Sequence, residues 1–277
     1  MPLYFTKMHG LGNDFIVIDA IRQSIKPDEL DIPTLAKRHT GIGFDQCLLV
    51  EPGQDNTTDF FYRIFNADGQ EVGQCGNGAR CLARFVSYYG LTNKKKISVA
   101  TKTTRMFLQI NEDDTVTVDL GKPLFEPKNI PLLAPKLMPL YSLPLKNGQL
   151  HYFHALSVGN PHAITVVNDL INTSVDELGK EISEHALFPE QTNAGFMEII
   201  NKHHIALRVY ERGCGETQAC GSGAVAAAIA AQLYHGLVSP IKVSLQGGDL
   251  LVEWLDEQSS IFLTGPATFV YEGVLCE

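Results

Sequence analysis

Two short stretches of the chain carry residues suited to acid–base chemistry, and they read almost alike. Each places a cysteine, Cys75 or Cys220, directly before a Gly-x-Gly that opens an apolar run. A shift of 145 positions aligns these cysteines and also aligns Glu71 with Glu216. A thiol just ahead of a helix lies beside unpaired backbone N–H groups, which stabilise its anion and can hold a carboxylate. The two stretches therefore predict a matched pair of acid–base groups.

Two facing thiols suit the racemisation or epimerisation of an α-carbon. One of them, as a thiolate, removes the proton from one face, while the other, as a thiol, donates a proton to the opposite face. The glycines are predicted to let the backbone approach the bound substrate, and the helix N-termini to stabilise the carbanion as an enediolate. We expect this active site in a cleft between two related halves of the chain.

The composition is that of a globular protein without a polyanionic partner. Its 277 residues are 44% hydrophobic and 19% charged, with a formal net charge of −9. That charge argues against nucleic acid and anionic membranes as partners, because both attract basic surfaces. No secretory signal is visible, and the longest apolar run, 224–231, is far shorter than the roughly 20 residues that span a bilayer. We expect a cytoplasmic protein.

The cysteines are expected to be thiols rather than a disulfide framework, because no export signal accompanies them. They stand at positions 47, 75, 81, 214, 220 and 276. Two pairs share a C-x5-C spacing, but the shift of 145 aligns Cys81 with Ala226, so this equality is a coincidence. Structural zinc sites favour shorter spacings. The sequence therefore predicts no metal site.

Correspondences along the whole chain predict an internal duplication. Gly12-Asn13 matches Gly159-Asn160 at an offset of 147, and a strand-like run follows each. Each Gly-x-Gly opens a predicted helix that a glycine stops, Gly90 in the first half and Gly236 in the second. The second helix is apolar on nearly every face, so it should be buried on all sides.

The predicted fold is a mixed α+β arrangement of two pseudo-symmetric halves. Each half is expected to be a curved, mostly antiparallel sheet or barrel around a central buried helix. The first half spans 1–122, and a C-terminal strand at 267–277 returns to it. Six of the 14 prolines lie between 123 and 144, which predicts a connector over 123–150. The second half spans 151–266.

Taken together, the motifs resemble those of the diaminopimelate epimerase family from residue 3 to about residue 273. The motifs are Met8-His-Gly-Leu-Gly-Asn-Asp-Phe15, Asn66-Ala-Asp-Gly with Cys75-Gly-Asn-Gly-Ala-Arg-Cys81, Gly159-Asn-Pro-His162, and Glu211-Arg-Gly-Cys-Gly-Glu-Thr with Ala219-Cys-Gly-Ser-Gly223. The resemblance implies a cofactor-free, homodimeric enzyme that interconverts LL- and meso-2,6-diaminopimelate. It places the reaction in the synthesis of lysine and peptidoglycan precursors.

The resemblance also implies roles for individual residues. Cys75 and Cys220 match the catalytic pair, with Cys220 accepting and Cys75 donating the proton in the LL-to-meso direction. His162 and Glu211 match residues that tune the thiol pKa values, and Tyr271 matches a dimer-interface tyrosine. The matches to substrate contacts are Asn13, Gln46, Asn66, Gly76, Asn77, Asn160, Asn193, Glu211, Arg212, Gly221 and Ser222. Cys214 departs from the family's usual wording and adds a third thiol near the predicted site.

Three other functions remain open at this stage. Proline and hydroxyproline racemases also use two facing cysteines, although Asn66, Asn193 and Arg212 form a polar set suited to a second amino-acid head group. A thiol redox or sensor protein would instead join Cys75 and Cys220 in a reversible disulfide. The third alternative is a catalytically silent binding protein.

Overall fold

The computed structural model describes residues 2–73 and 75–275, so Cys276 lies outside the described residues. The chain divides into two compact units. Unit 1 comprises the residues up to 119 and those from 264 onward, and unit 2 comprises residues 120–263.

Strands are the predominant regular secondary structure of both units. In chain order they are β1 (Leu3–Gly10), β2 (Asn13–Asp19), β3 (Gln46–Pro52), β4 (Phe60–Asn66), β5 (Glu71–Val72), β6 (Lys96–Ala100), β7 (Arg105–Ile110), β8 (Val116–Asp119), β9 (Tyr141–Pro144), β10 (Leu150–Ser157), β11 (Pro161–Val166), β12 (Asn193–Asn201), β13 (His204–Glu211), β14 (Gly215–Thr217), β15 (Ile241–Leu245), β16 (Gly248–Glu253), β17 (Phe262–Gly265) and β18 (Thr268–Leu275). The α-helices of the described chain are α1 (Ile32–Leu35), α2 (Gly76–Tyr88), α3 (Val175–Ser183) and α4 (Gly221–His235).

The sheet of unit 1 is mostly antiparallel. Strand β1 pairs antiparallel with both β2 and β18. Strand β2 runs parallel to β3, which pairs antiparallel with β4. Strand β4 then pairs antiparallel with β5 and parallel with β6, and β6, β7 and β8 form an antiparallel meander. The two parallel pairs stand where α1 and α2 connect the strands, as crossover connections require.

Unit 2 repeats the order and direction of these pairings from β10 to β16. Strands β10 and β11 are antiparallel, β11 and β12 parallel, and β12 and β13 antiparallel. Strand β13 pairs antiparallel with β14 and parallel with β15, and β15 pairs antiparallel with β16. Helices α3 and α4 occupy the crossovers that α1 and α2 occupy in unit 1. The predicted fold class and the duplication are confirmed.

The repeat extends to the register of single residues. In the β2–β3 pair, Phe15 stands opposite Gln46, and in the β11–β12 pair His162 stands opposite Asn193. Both positions of the second pair lie 147 residues after those of the first. Since a one-residue slip would turn every side chain to the opposite face of the sheet, both units aim equivalent side chains at equivalent places.

Helices α2 and α4 begin where the sequence predicts them. Cys75 is the N-cap of α2 and Cys220 the N-cap of α4. The residues from 224 to 231 in α4 are all buried, which confirms the prediction for this helix. Helix α4 ends at Gly236, whose φ of 70° is left-handed and therefore favours glycine.

The proline-rich segment belongs to the core of unit 2. It contains a 3-10 turn at Pro127–Asn129 and strand β9, which pairs with β10. Its buried apolar side chains pack with those of β10, β12 and α3; they are Ile130, Leu132, Tyr141, Leu143 and Leu145. Within the described ranges, none of the helices has the length and apolar character needed to cross a membrane.

Candidate active site

Cys75 lies half-buried at the start of α2, where the helix leaves backbone N–H groups unpaired. Its Sγ accepts a hydrogen bond from the backbone N–H of Gly78 at 3.3 Å. The thiol also lies 3.9 Å from Oδ1 of Asn13 and donates to it. A sulfur anion formed here would meet a backbone donor and the positive end of the helix dipole.

Asn13 joins Cys75 to a second predicted residue, Asn77. The Asn77 Nδ2 donates to Asn13 Oδ1 at 3.2 Å, and the Asn13 Nδ2 donates to Asp45 Oδ2 at 3.0 Å. Asn13 stands at the start of β2 and Asn77 in the first turn of α2. The side-chain amide that follows the turn between β1 and β2 therefore lies at the N-terminus of α2, beside Cys75.

Gln46 and Asn66 form another predicted pair in unit 1. They stand opposite each other on β3 and β4, and Gln46 Nε2 donates to Asn66 Oδ1 at 2.8 Å. The Gln46 Oε1 is buried and has no hydrogen-bond partner. A buried acceptor without a donor is costly. Gln46 therefore offers an acceptor for a ligand's N–H group.

Cys220 has a more enclosed setting than Cys75. It is 3% exposed, and its Sγ lies 3.6 Å from Oγ of Ser222. Burial, reinforced by the Glu211 carboxylate, raises the pKa of Cys220 well above its ordinary value. The Ser222 hydroxyl and the Gly223 N–H act in the opposite direction but do not offset this effect. Cys220 is thus held as a thiol near neutral pH.

His162 is connected to the Cys220 segment through the side chain of Asn160. Its Nε2 contacts Asn160 Oδ1 at 3.1 Å, and Asn160 Nδ2 donates to Ser222 Oγ at 3.2 Å. His162 is fully buried. Burial, with a smaller contribution from the Arg212 charge, lowers the pKa of His162 to about 3. The imidazole is therefore neutral and donates from Nε2, which fixes the side chain of Asn160.

The remaining predicted residues of unit 2 surround the β12–β13 ladder. Asn193 is buried, and its Oδ1 accepts from the Arg212 backbone N–H at 2.9 Å. The Arg212 side chain donates to the Glu190 carbonyl at 2.9 Å. Glu211 accepts from the Thr217 hydroxyl at 2.5 Å. These contacts hold the carboxylate of Glu211 at the end of β13 and the guanidinium of the next residue, Arg212, in the turn that leads to β14.

The glycines of the two Gly-x-Gly motifs differ from the sequence interpretation. A Cβ at Gly78 would lie 3.3 Å from a Leu48 methyl group, and one at Gly223 would lie 3.0 Å from Val209 and 3.3 Å from Cys220 Sγ. The second glycine of each motif is therefore closely packed inside the protein, where a methyl group would have to displace a neighbouring side chain. Gly76 has open space around its α-carbon, so only a first glycine fits the predicted role of exposing backbone to a ligand.

Sequence reasoning missed the ion pairs that hold both cysteine segments. Arg63 Nε and Nη2 donate to the Glu71 carboxylate at 2.9 and 2.7 Å. Arg208 binds Glu216 in the same way, at 2.6 and 2.8 Å. Both pairs tie a long strand to the short strand that precedes the cysteine. The shift of 145 also aligns Arg63 with Arg208. The same offset that aligned the two glutamates could therefore have identified both ion pairs from the sequence.

Two further predictions concern Tyr271 and Cys214. Tyr271 lies on β18, is 45% exposed, and makes an edge contact with Phe5. Cys214 is exposed. Among the residues that the structure describes, no cluster of three or more His, Cys, Asp or Glu side chains is placed to hold a metal ion.

Comparison with known proteins gives one family. The family model of diaminopimelate epimerase matches residues 5–126 and 154–270. A diaminopimelate epimerase of Legionella pneumophila subsp. pneumophila (strain Philadelphia 1) is 61% identical over 275 residues, which cover 99% of both chains. The diaminopimelate epimerase of the Corby strain of Legionella pneumophila is 60% identical over the same share of each chain.

Solved structures with low sequence identity share the fold. A phenazine biosynthesis protein of the PhzF family from Bacillus anthracis superimposes with a TM-score of 0.68 at 16% identity, over 100% of both chains. A hydroxyproline epimerase from Agrobacterium vitis does so with a TM-score of 0.67 at 15% identity, over 99% of this chain and 92% of the other. The family model and the Legionella relatives carry the assignment: the chain belongs to the diaminopimelate epimerase family.

Proposed function

We propose that this protein interconverts LL- and meso-2,6-diaminopimelate by a two-base mechanism in which Cys75 and Cys220 act on opposite faces of one α-carbon. The observation that carries the proposal is the matched placement of the two cysteines, each as the N-cap of an equivalent helix. A thiolate on one face removes the α-proton, and the thiol on the other face supplies a proton. The sulfur protonation states are exchanged after each turnover.

The two helix ends also provide for the substrate's α-carboxylate. Gly76, Asn77, Gly221 and Ser222 supply backbone N–H groups in the first turns of α2 and α4, where intrahelical partners are lacking. Such donors hold a carboxylate and stabilise the enediolate that forms when the α-proton leaves. The mechanism therefore needs no electron sink beyond the protein.

The polar side chains around the thiols suit the other ends of a diamino dicarboxylate. The guanidinium of Arg212 is suited to a distal carboxylate, and the Gln46 acceptor is suited to an ammonium group. The side chains of Asn13, Asn66, Asn160, Asn193 and Glu211 complete the proposed set. His162 and Glu211 act on the thiol of Cys220, by orienting Asn160 and by raising the pKa of that thiol.

The proposal is tested by incubating the protein with LL-diaminopimelate in deuterated water, with a reductant and without added cofactor. We expect meso-diaminopimelate that carries deuterium at one α-carbon. L-Proline and trans-4-hydroxy-L-proline serve as control substrates, and their racemisation in place of diaminopimelate would instead support the racemase alternative. Activity that appears only on oxidation of the cysteines would support the redox alternative.

We further propose that the protein is a homodimer joined at β18 and acts in lysine and peptidoglycan precursor synthesis. Tyr4, Val270, Tyr271 and Val274 are exposed apolar side chains on β1 and β18, and adjoining exposed apolar groups are typical of an interface. Light scattering of Tyr271→Glu against the wild type tests this: a monomeric variant supports it and an unchanged mass contradicts it. The cytoplasmic location stays a prediction.

A further inference from the structure

Arg80 is a fully buried guanidinium one turn beyond Cys75 in α2. Its Nε donates to the Pro266 carbonyl at 3.1 Å, and its Nη2 donates to Asn77 Oδ1 at 2.9 Å. Its Nη1 is buried without a hydrogen-bond partner. A buried arginine stays protonated and is costly to hold without a carboxylate. The fold nevertheless retains this charge behind Cys75.

The strand before the Asn13 turn leaves space for this side chain. A Cβ at Gly10, the last residue of β1, would lie 3.1 Å from Arg80 Nη2 and 3.3 Å from the Asn77 Cβ. Any larger side chain at this position would displace one or the other. Gly10 therefore accommodates the contact between Arg80 and Asn77.

Arg80 begins a hydrogen-bonded chain whose direction is fixed at both ends. The guanidinium can only donate, so it requires Oδ1 of Asn77 to face it. Asn77 Nδ2 then donates to Asn13 Oδ1, and Asn13 Nδ2 donates to the Asp45 carboxylate, which can only accept. Neither amide can turn over without losing a bond. Cys75 Sγ consequently meets Asn13 Oδ1 in a single orientation.

We propose that Arg80 is a positioning residue of the Cys75 half-site: it fixes Asn77 and Asn13, and its buried positive charge stabilises the Cys75 thiolate. The inference rests on the proposed function, in which Cys75 must alternate between thiol and thiolate. The charge outweighs the long S–H···O contact to Asn13, because ionic interactions in a buried site exceed a weak hydrogen bond. Arg80 therefore assists the step in which Cys75 acts as base.

The corresponding position in unit 2 carries no charge. The shift of 145 aligns Arg80 with Val225, and the charged neighbour of Cys220 is the Glu211 carboxylate. A cation behind one thiol and an anion beside the other have opposite effects on ionisation. Cys75 is therefore the cysteine of the pair that ionises at the lower pH.

Other titratable groups near Arg80 do not replace its charge. Burial raises the pKa of Tyr62 well above its ordinary value and that of Cys81 to about 12, so both are neutral near pH 7. Burial lowers the pKa of Arg80, and negative charge on the sulfur of Cys81 or Cys75 acts in the opposite direction when either thiol ionises. The strands packed against α2 contribute these charged or titratable side chains: Tyr4, Lys7, His9, Asp14, Asp19, Cys47, Glu51, Arg105 and Asp119. Of these, Lys7 and Asp14 pair with each other.

The test compares Arg80→Met and Arg80→Lys with the wild type in the full-length protein. Iodoacetamide labelling is followed over pH, and peptide mass spectrometry measures Cys75 and Cys220 separately. Methionine removes the charge, so the midpoint of Cys75 labelling should rise by at least about one pH unit. Lysine cannot reproduce both hydrogen bonds, and its amine loses its proton readily when it is fully buried without a carboxylate, so the lysine variant tests the hydrogen bonds and not the charge. Its kcat/KM for diaminopimelate should fall about tenfold, because Asn77 and Asn13 lose their fixed orientation.

Arg84 provides a matched control on the same helix. It pairs with Asp114 at 3.2 Å, and Arg84→Met should leave the Cys75 midpoint and kcat/KM unchanged. Should Arg80→Met fail to fold, the wild type still decides: Cys75 must be labelled at lower pH than Cys220, and the reverse order overturns the inference. An unchanged midpoint of Cys75 labelling in Arg80→Met overturns the charge contribution, and an unchanged kcat/KM in Arg80→Lys overturns the positioning role. A wild type without epimerase activity refutes the proposed function and leaves the labelling result to be judged by itself.

Discussion

The two cysteine segments share their scaffold and differ in the charges beside the sulfur. Each cysteine caps a helix, and each preceding hairpin is held by a bidentate Arg–Glu pair. Around Cys75 the buried ion is the Arg80 cation, whereas Cys220 adjoins the Glu211 carboxylate. Duplication has thus kept the geometry and changed the electrostatics. A two-base enzyme needs equivalent placement of both groups, but an asymmetric substrate benefits from unequal surroundings.

The replaced positions form a connected set. Asn13 contacts Cys75 directly, whereas Asn160 is connected to Cys220 through Ser222. Asn13 Nδ2 donates to a carboxylate, Asp45, while Asn160 Oδ1 accepts from an imidazole, His162. In the first turn of the helix, Asn77 of α2 donates to Asn13, whereas Ser222 of α4 accepts from Asn160. Each substitution alters the charge or the hydrogen-bond direction near one sulfur only.

The largest effect is expected when each cysteine is replaced in turn. Cys75→Ser and Cys220→Ser should each lower kcat/KM for epimerisation by on the order of 10³-fold or more, because a hydroxyl is a far weaker acid at neutral pH than a thiol and general acid–base groups contribute about 10²–10⁴-fold. Circular dichroism should remain unchanged. Epimerisation that survives in either variant would contradict the two-base mechanism.

The shared ion pairs should prove unequal in strength. Arg208 Nη1 also donates to three carbonyl oxygens in the 170–173 loop, at 2.9 to 3.3 Å, whereas Arg63 stacks on Phe65. Arg208→Ala strands those carbonyls, so its free energy of unfolding should fall by about 3 kcal/mol. Arg63→Ala should cost roughly 1–2 kcal/mol. Urea unfolding of the two variants measures this, and equal losses would contradict the added role of Arg208.

The second glycines of the Gly-x-Gly motifs should separate activity from stability. A methyl group at Gly223 meets Cys220 Sγ, and one at Gly78 meets Leu48 and Phe15 instead. Gly223→Ala should therefore reduce kcat/KM about tenfold by moving the sulfur. Gly78→Ala should lose about 1 kcal/mol of stability through overpacking, with a smaller change in kcat/KM. The opposite ranking in kcat/KM would show that the contact with Cys220 does not matter.

The smallest effect is a difference in acid sensitivity. His162 has a pKa of about 3 when folded and 6.5 as its ordinary value, so between these pH values the unfolded chain binds a proton that the native protein does not. Stability is therefore lost as pH falls below about 6.5. His162→Gln should reduce the loss between pH 7 and 5.5 by on the order of 1 kcal/mol. Parallel urea midpoints for both proteins would contradict the assignment.

Asp14 provides the comparison in unit 1. Burial raises its pKa, but hydrogen bonds from Arg38 and Lys7 outweigh this and lower the pKa to about 2. For a carboxylate with a lowered pKa, the stabilisation is present above its ordinary value of 3.8 and is lost as pH falls towards 2. The free energy of unfolding of Asp14→Asn should therefore differ from the wild type in its pH dependence only below about pH 4. This pH range is distinct from the range in which His162 acts.

The sequence was informative where the duplication repeated a pattern. The offset that pairs Cys75 with Cys220 predicts both helix starts, and the structure has α2 and α4 there. The apolar sequence of α4 predicts its burial on all sides, which the structure confirms. A repeated motif can be interpreted from the sequence because two separate stretches must satisfy the same local geometry.

What the sequence could not predict depends on contacts distant along the chain. Arg80 contacts Pro266, 186 positions away. Its counterpart in unit 2 is Val225, so a comparison of the two repeats does not identify Arg80 as a functional residue. The second glycines pack closely against Leu48 and Val209, whose proximity follows only from the folded sheet. The pairing of Asn13 with Asp45 likewise depends on how β2 and β3 align.

The central claim is that separate thiols act on the two faces of one α-carbon. The most direct measurement is the location of deuterium at low conversion of LL-diaminopimelate in deuterated water. The account predicts deuterium at the inverted α-carbon of nearly every meso product molecule and almost none in the recovered LL substrate, because the proton removed by one thiol does not return from the other. Product that retains the substrate's own α-hydrogen would contradict the account.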